Sequence, residues 1–236
     1  MSPIHDQTYR RYEGTRLPMG RAWTIIARNG IRNMIGRRFF LIWMIIAWLP
    51  FIVRAVQIYL VANVPQASQL VPVNATMYRQ FIEQQGIFVF FVTIYAGAGL
   101  IANDRRANAL QIYLSKPLLR SEYIAGKFTV LAVFLSCVTL LPSILLLLIH
   151  VLLSGSFAFV KAHLFLIPSV ILASILRVIV ASATILALSA LSKSSRYVGV
   201  LYSGAIIFSK RGSIVDAIDN AEPPAAPPKE AITVGH

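Results

Sequence analysis

The sequence predicts an all-α polytopic membrane protein, and three observations carry that prediction. The 236-residue chain is 57% hydrophobic and only 13% charged, whereas soluble domains hold about 25% charged residues. Four apolar runs approach twenty residues, the length that crosses about 30 Å of hydrocarbon. Basic residues collect in alternate connections, as they do when they set the orientation of a bundle in a bilayer. A soluble core is possible at this length, but it has no need of several uninterrupted runs of that kind.

In chain order, residues 1–20 are polar and read as a flexible N-terminus. Over 21–35 the pattern becomes helical: Arg21, Arg28 and Arg32 share one face, and Trp23, Ile26, Ala27, Gly30 and Met34 share the opposite one. An apolar stripe opposite arginines, directly before a span, predicts an amphipathic interfacial helix in the headgroup plane. The first span covers 39–62 and includes Pro50 and Arg54. A weakly charged connection with Pro65 and Pro72 follows, then a second span over 84–102 whose small residues suit close helix contact. Residues 101–127 form a polar, basic island. The third span covers 128–150, with a kink expected at Pro142, and the fourth covers 168–191.

A fifth apolar run, 197–208, is short. At about 1.5 Å per residue it covers about 18 Å, so it predicts a partial span only. Lys210 and Arg211 end it, and 210–236, with Pro223, Pro224, Pro227 and Pro228, reads as a disordered tail. The transmembrane domain is thus 21–209.

Eight arginines precede the first span, and the island and the link at 192–196 are basic too, while the opposite connections carry little beyond Arg79 and Lys161. The N-terminus, the island and that link are therefore expected in the cytoplasm. The same rule accounts for the excess of 22 Lys and Arg over 9 Asp and Glu, so no nucleic-acid partner is expected. The lone Cys137 permits no intrachain disulfide. Asn74-Ala75-Thr76 matches a glycosylation sequon, a weak signal.

Catalytic patterns do not emerge. Gly126-Lys127 is followed by Phe128 rather than Ser or Thr, so no P-loop is formed. The four histidines, His5, His150, His163 and His236, are scattered and give no metal-ligand spacing. The expectation is a chain that is not itself an enzyme and binds no cofactor or metal. Arg54 and Arg177 fall inside apolar runs, where a charge costs several kcal/mol unless it finds water or a partner. Each is a candidate contact for an anionic substrate on a pathway, or a snorkelling side chain.

The island is the most informative stretch. It reads Ile101-Ala102-Asn103-Asp104, then Tyr113-Leu114-Ser115-Lys116-Pro117-Leu118-Leu119-Arg120, then Gly126-Lys127. This resembles the permeases of type-two ATP-binding-cassette exporters, in which "I-A-x-E/D" opens a cytoplasmic coupling helix and "L-L-S-x-P-x-x-R" leads to a "G-K" at the third span. The resemblance implies a coupling helix over about 104–122. Leu110, Tyr113 and Leu114 would form an anchor face at i, i+3 and i+4, and Pro117 would end the helix.

The implied ATPase-docking residues are Asp104, Arg105, Arg106, Leu110, Tyr113, Leu114, Lys116, Pro117, Arg120 and Glu122. The resemblance further implies a separate ATPase subunit that binds ATP and Mg, a second permease subunit as homo- or heterodimer, and residence in a bacterial inner membrane. The function expected is export driven by that ATPase; the alternatives are a non-transporting assembly or anchoring protein and a membrane-embedded enzyme. Two departures stand out. Ala107-Asn108-Ala109-Leu110 replaces the family's common Gly-Thr-Leu, and nothing after Phe208 could supply the usual sixth span. The chain is then truncated or divergent, or 197–218 makes a partial crossing completed by another subunit.

Overall fold

Every described residue is explained by helices and the turns between them. The computed structural model describes residues 22–64, 74–108, 119–154 and 165–219. Among these the elements are α1 (Ala22–Ile35), α2 (Arg38–Ile46), α3 (Leu49–Asn63), α4 (Ala75–Gly97), α5 (Ala102–Arg106), α6 (Arg120–Val138), α7 (Leu140–Ser154), α8 (Leu166–Leu191) and α9 (Ser195–Asp219). Four stretches are long and apolar enough to cross a membrane: Arg38–Asn63, Thr76–Arg106, Arg120–Leu153 and Ile167–Leu191. These are the four spans expected from hydropathy. In a bilayer every backbone N–H and C=O must be satisfied within the protein, which leaves helices as the economical solution for such runs.

Two of the spans are broken, each at a proline. Pro50 has no N–H to offer the carbonyl four residues earlier. The chain accordingly ends α2 at Ile46, tightens through a Trp48 N–H to Ile45 O bond of 3.0 Å, and restarts as α3 with the proline in its first turn. Pro142 likewise leaves the carbonyl of Val138 without its helical donor, and α6 ends there. The side-chain amide of Gln85 on α4 supplies the bond instead, donating from Nε2 to Val138 O at 3.0 Å. Gln85 is buried, so a polar residue in the second span answers a proline in the third.

At the start of α4, Asn74 is the N-cap: its side chain accepts from the N–H of Met77 at 3.1 Å. This cap starts the helix well before residue 84, where the sequence places the span, and gives Asn74 a local structural role. α9 also differs from expectation. It continues through Lys210 and Arg211 to Asp219, into the segment assigned to the tail. The tail prolines begin only at Pro223, so nothing before them interrupts a helix. Lys210 and Arg211 end the apolar run without ending the helix.

Two apolar cores hold the bundle. The larger joins Met34, Phe40, Val92, Phe134, Ile185 and Tyr202 with their neighbours at the island end. Phe40 is its centre, stacked on Tyr95 at 5.5 Å and edge-on to Phe134 at 4.8 Å. The smaller core, at the opposite end, gathers Ile58, Tyr78, Phe81, Leu146 and Val170. There the Tyr78 hydroxyl and His150 Nδ1 lie 2.6 Å apart.

The amphipathic pattern of α1 is present: Ala27 and Met34 are buried while Arg28 and Arg32 are exposed. Its apolar stripe packs on α6. Ile26 meets Gly126 and Gly30 meets Val130, so the two helices run side by side over this turn. A Cβ on Gly126 would stand 2.8 Å from Ile26 Cβ, and one on Gly30 only 2.6 Å from Val130 Cγ2. Two glycines, one on each helix, thus let the axes close together.

The Gln85–Val138 bond can be isolated by a double-mutant cycle. Gln85→Leu should destabilise the protein by about 1–3 kcal/mol, the cost of leaving a buried carbonyl unpaired. In a Pro142→Ala background the restored N–H at 142 reaches Val138 O, and most of that cost should vanish. Unfolding in mixed micelles measures both legs, and an equal cost in the two backgrounds would refute the assignment.

Candidate functional site

The island enters and leaves the bundle through two stems that are fastened to each other. α4 ends at Gly97, the chain turns, and α5 places Asp104 in its first turn. α6 brings Tyr123 and Lys127 to the same point. Asp104 Oδ2 accepts from the Tyr123 hydroxyl at 2.7 Å and pairs with Lys127 Nζ at 2.8 Å. The ion pair is largely enclosed, with side-chain exposures of 15% for Lys127 and 21% for Asp104. Lys127 also lies over the Tyr123 ring, 5.5 Å from its centroid. Low local dielectric strengthens such a contact, and its loss leaves an uncompensated charge behind.

A second fastening ties the first stem to α8. Ser189 Oγ accepts from the backbone N–H groups of Ile101 and Ala102, at 3.1 and 3.0 Å, and donates to Ala98 O at 3.0 Å. One buried hydroxyl therefore satisfies three backbone groups at the α4–α5 turn. Arg105 adds a bond from Nη1 to Ala190 O, placing a cation at the C-terminal end of α8, where the helix dipole favours it.

Of the ten docking residues the sequence suggests, Arg106 and Arg120 are exposed. Asp104, Arg105 and Glu122 face the protein instead: the Glu122 carboxylate is buried and accepts from the N–H of Leu119 at 3.3 Å, capping α6. Leu110, Tyr113, Leu114, Lys116 and Pro117 lie outside the described residues. Of the stretch 104–122 the structure describes α5, which ends at Arg106, and Asn108 with a left-handed φ of 53°, while 109–118 lie outside the described residues. Asparagine tolerates that region better than most residues and so closes the helix.

Beside the stems a cleft of about 390 Å³ opens between α1, α5, α6 and α9, lined among others by Asn33, Arg37, Asn103, Asp104, Lys127 and Arg196. With Arg106 and Arg120 nearby, this end of the bundle is positively charged.

The sequence profile of the ABC-2 family transporter proteins matches residues 24–213. The chain belongs to that family. It is a membrane permease component of an ATP-binding-cassette transporter. No curated protein and no solved structure matches it. The permease motif residues quoted above now acquire physical roles: Asp104 and Lys127 clamp the stems, and Gly126 admits α1. Ser189 escaped the sequence reading, since nothing distinguishes it there from Ser182 or Ser192. Tyr123 was within reach, because it stands four residues before Lys127, one helical turn away.

The two arginines inside apolar runs are treated differently by the fold. Arg54 is 8% exposed and its guanidinium bonds to Gln57 Oε1 at 2.9 Å and Gln80 Oε1 at 3.5 Å. It is enclosed between α3 and α4 rather than snorkelling. Arg177 donates from Nη1 to Ile82 O and lines two clefts.

Charge reversal tests the clamp. Asp104→Ala should cost roughly 3 kcal/mol, as breaking a mostly enclosed pair does. The exchange Asp104→Lys with Lys127→Asp should recover a good part of that loss if the pair itself is responsible. Thermal unfolding of the purified permease reports it, and no recovery would mean that Tyr123 alone carries the contact.

Proposed function

We propose that this permease is the transmembrane subunit of an exporter driven by a separate ATPase. The observation that supports this most is the double fastening of the island's stems, to each other through Asp104 and Lys127 and to α8 through Ser189. A load applied to the island then reaches α4, α6 and α8 together. That is what a partner needs in order to switch a bundle between two states through differential contacts.

In this reading the island end faces the cytoplasm of a bacterial inner membrane, in line with the arginine distribution. The ATPase docks on the island through Leu110, Tyr113 and Leu114, framed by Arg106 and Arg120, and α1 contributes its arginine face beside the cleft. ATP and Mg bind on that partner. A second permease, identical or not, completes the pathway. Its surface on this chain is sought among the exposed apolar faces of the first span, only 17% of whose apolar window is buried. The pathway role belongs to Arg177, which reaches a cleft, and not to Arg54, which is walled in by Gln57 and Gln80.

Replacing Tyr113 and Leu114 together with Asp should abolish co-purification of the ATPase while membrane insertion and thermal stability stay unchanged, since the described stem contacts are made by Asp104, Tyr123, Lys127 and Ser189. Undiminished co-purification would remove the island from the docking role.

A further inference from the structure

The clefts around Arg177 are ordered in a way that the pathway role alone does not require. The larger, about 540 Å³, lies between α4, α8 and α9 and is lined by Glu83, Gly86, Ile87, Phe90, Arg177, Tyr202, Ile206 and Ile207. That volume is usual for a small-molecule site. Its charged groups are both at one end. Glu83 and Arg177 each lie fourteen residues from the island ends of their helices, Gly97 and Leu191, or about 21 Å along the axis. Phe90 and Tyr202 each lie seven residues from Gly97 and Ser195, or about 10 Å, and their rings stack at 5.9 Å to form the floor. Between them only Gly86, Ile87, Ile206 and Ile207 line the walls.

The charge at the polar end is positive. Glu83 is already engaged by Arg79 at 3.0 Å, and Arg177 commits one guanidinium N–H to Ile82 O. A guanidinium carries five such donors, so Arg177 keeps donors to offer, and Arg79 and Arg177 against the single Glu83 leave one net positive charge at this end. The cleft therefore joins a cation near the middle of α8, eleven residues from Leu166 and fourteen from Leu191, to an apolar slot that runs from it toward the island end.

We infer that this cleft binds one amphiphile with an anionic, phosphate-type headgroup, its head on Arg177 and its hydrocarbon chain along α4 and α9 down to the Phe90–Tyr202 floor. This rests on the exporter reading for its meaning, since the occupant would be the class of molecule transported, but the binding itself is a property of the permease alone. A neutral or zwitterionic head gains little from the net positive charge, and a free inorganic anion leaves the slot empty.

The test uses the full-length permease in a nonionic detergent, with retained lipid counted by native mass spectrometry after exposure to phosphatidylglycerol and phosphatidylcholine of identical chains. The wild type should retain one phosphatidylglycerol with about tenfold preference. Arg177→Gln should lose the preference and Arg177→Lys should keep most of it. Ile206→Trp, which fills the slot and leaves the charge in place, should lose retention. Equal retention of the two lipids by the wild type would overturn the inference, as would phosphatidylglycerol retention that survives both Arg177→Gln and Ile206→Trp. Because no ATPase is present, failure here is separable from failure of the docking claim, which is read from co-purification.

Discussion

The structure depends on an ion pair between Asp104 and Lys127, closed by the Tyr123 hydroxyl. A connection between two membrane helices is ordinarily a flexible link, and a push on such a link dissipates in the loop. Here the connection leaves and re-enters through stems held 2.8 Å apart at their charged atoms. The pair sits where water is mostly excluded, so its attraction is not screened away as a surface pair's would be. Its removal leaves a charge without a partner, which makes the contact costly to break even if its net contribution to stability is modest.

The neighbouring interactions follow from the same geometry. Once the stems are held, the turn between α4 and α5 exposes backbone N–H groups that need acceptors, and Ser189 supplies them from α8. α1 then closes on α6 across Gly126, directly beside Lys127. The result is that the N-terminal helix, the second, third and fourth spans, and both ends of the island meet within one small region. A membrane bundle lacks a hydrophobic drive between its helices, so such packing contacts and buried hydrogen bonds are what hold it in register. Gln85 illustrates the same economy farther along the bundle, where it repairs the bond that Pro142 removes from α6.

The two intramembrane arginines show how one chemical type serves two purposes. Arg54 finds side-chain amides on its own helix and the next, and is enclosed by them. Arg177 finds a single carbonyl and opens onto a cleft. Both lower the cost of a guanidinium in an apolar setting, but only the second opens onto a described cleft. Sequence position alone does not separate them, since each is one arginine in one apolar run.

What the sequence by itself determined is the class of the molecule. Hydropathy placed four spans, Pro142 marked one break, and the order of Asp104, Pro117 and Gly126-Lys127 pointed to the ABC-2 permeases, because these are local consequences of chain length, missing N–H groups and spacing. What it left open were the partners of individual side chains. Asp104 read as a docking residue, and the sequence did not show that its carboxylate meets Lys127 and Tyr123. α5 closes at Arg106 before the left-handed Asn108, and α9 continues past the two basic residues that end its apolar run. Ser189 carried no signal at all. Each of these was decided by contacts between residues far apart in the chain, or by a backbone conformation that spacing does not reveal, and only the packed bundle brings such groups together.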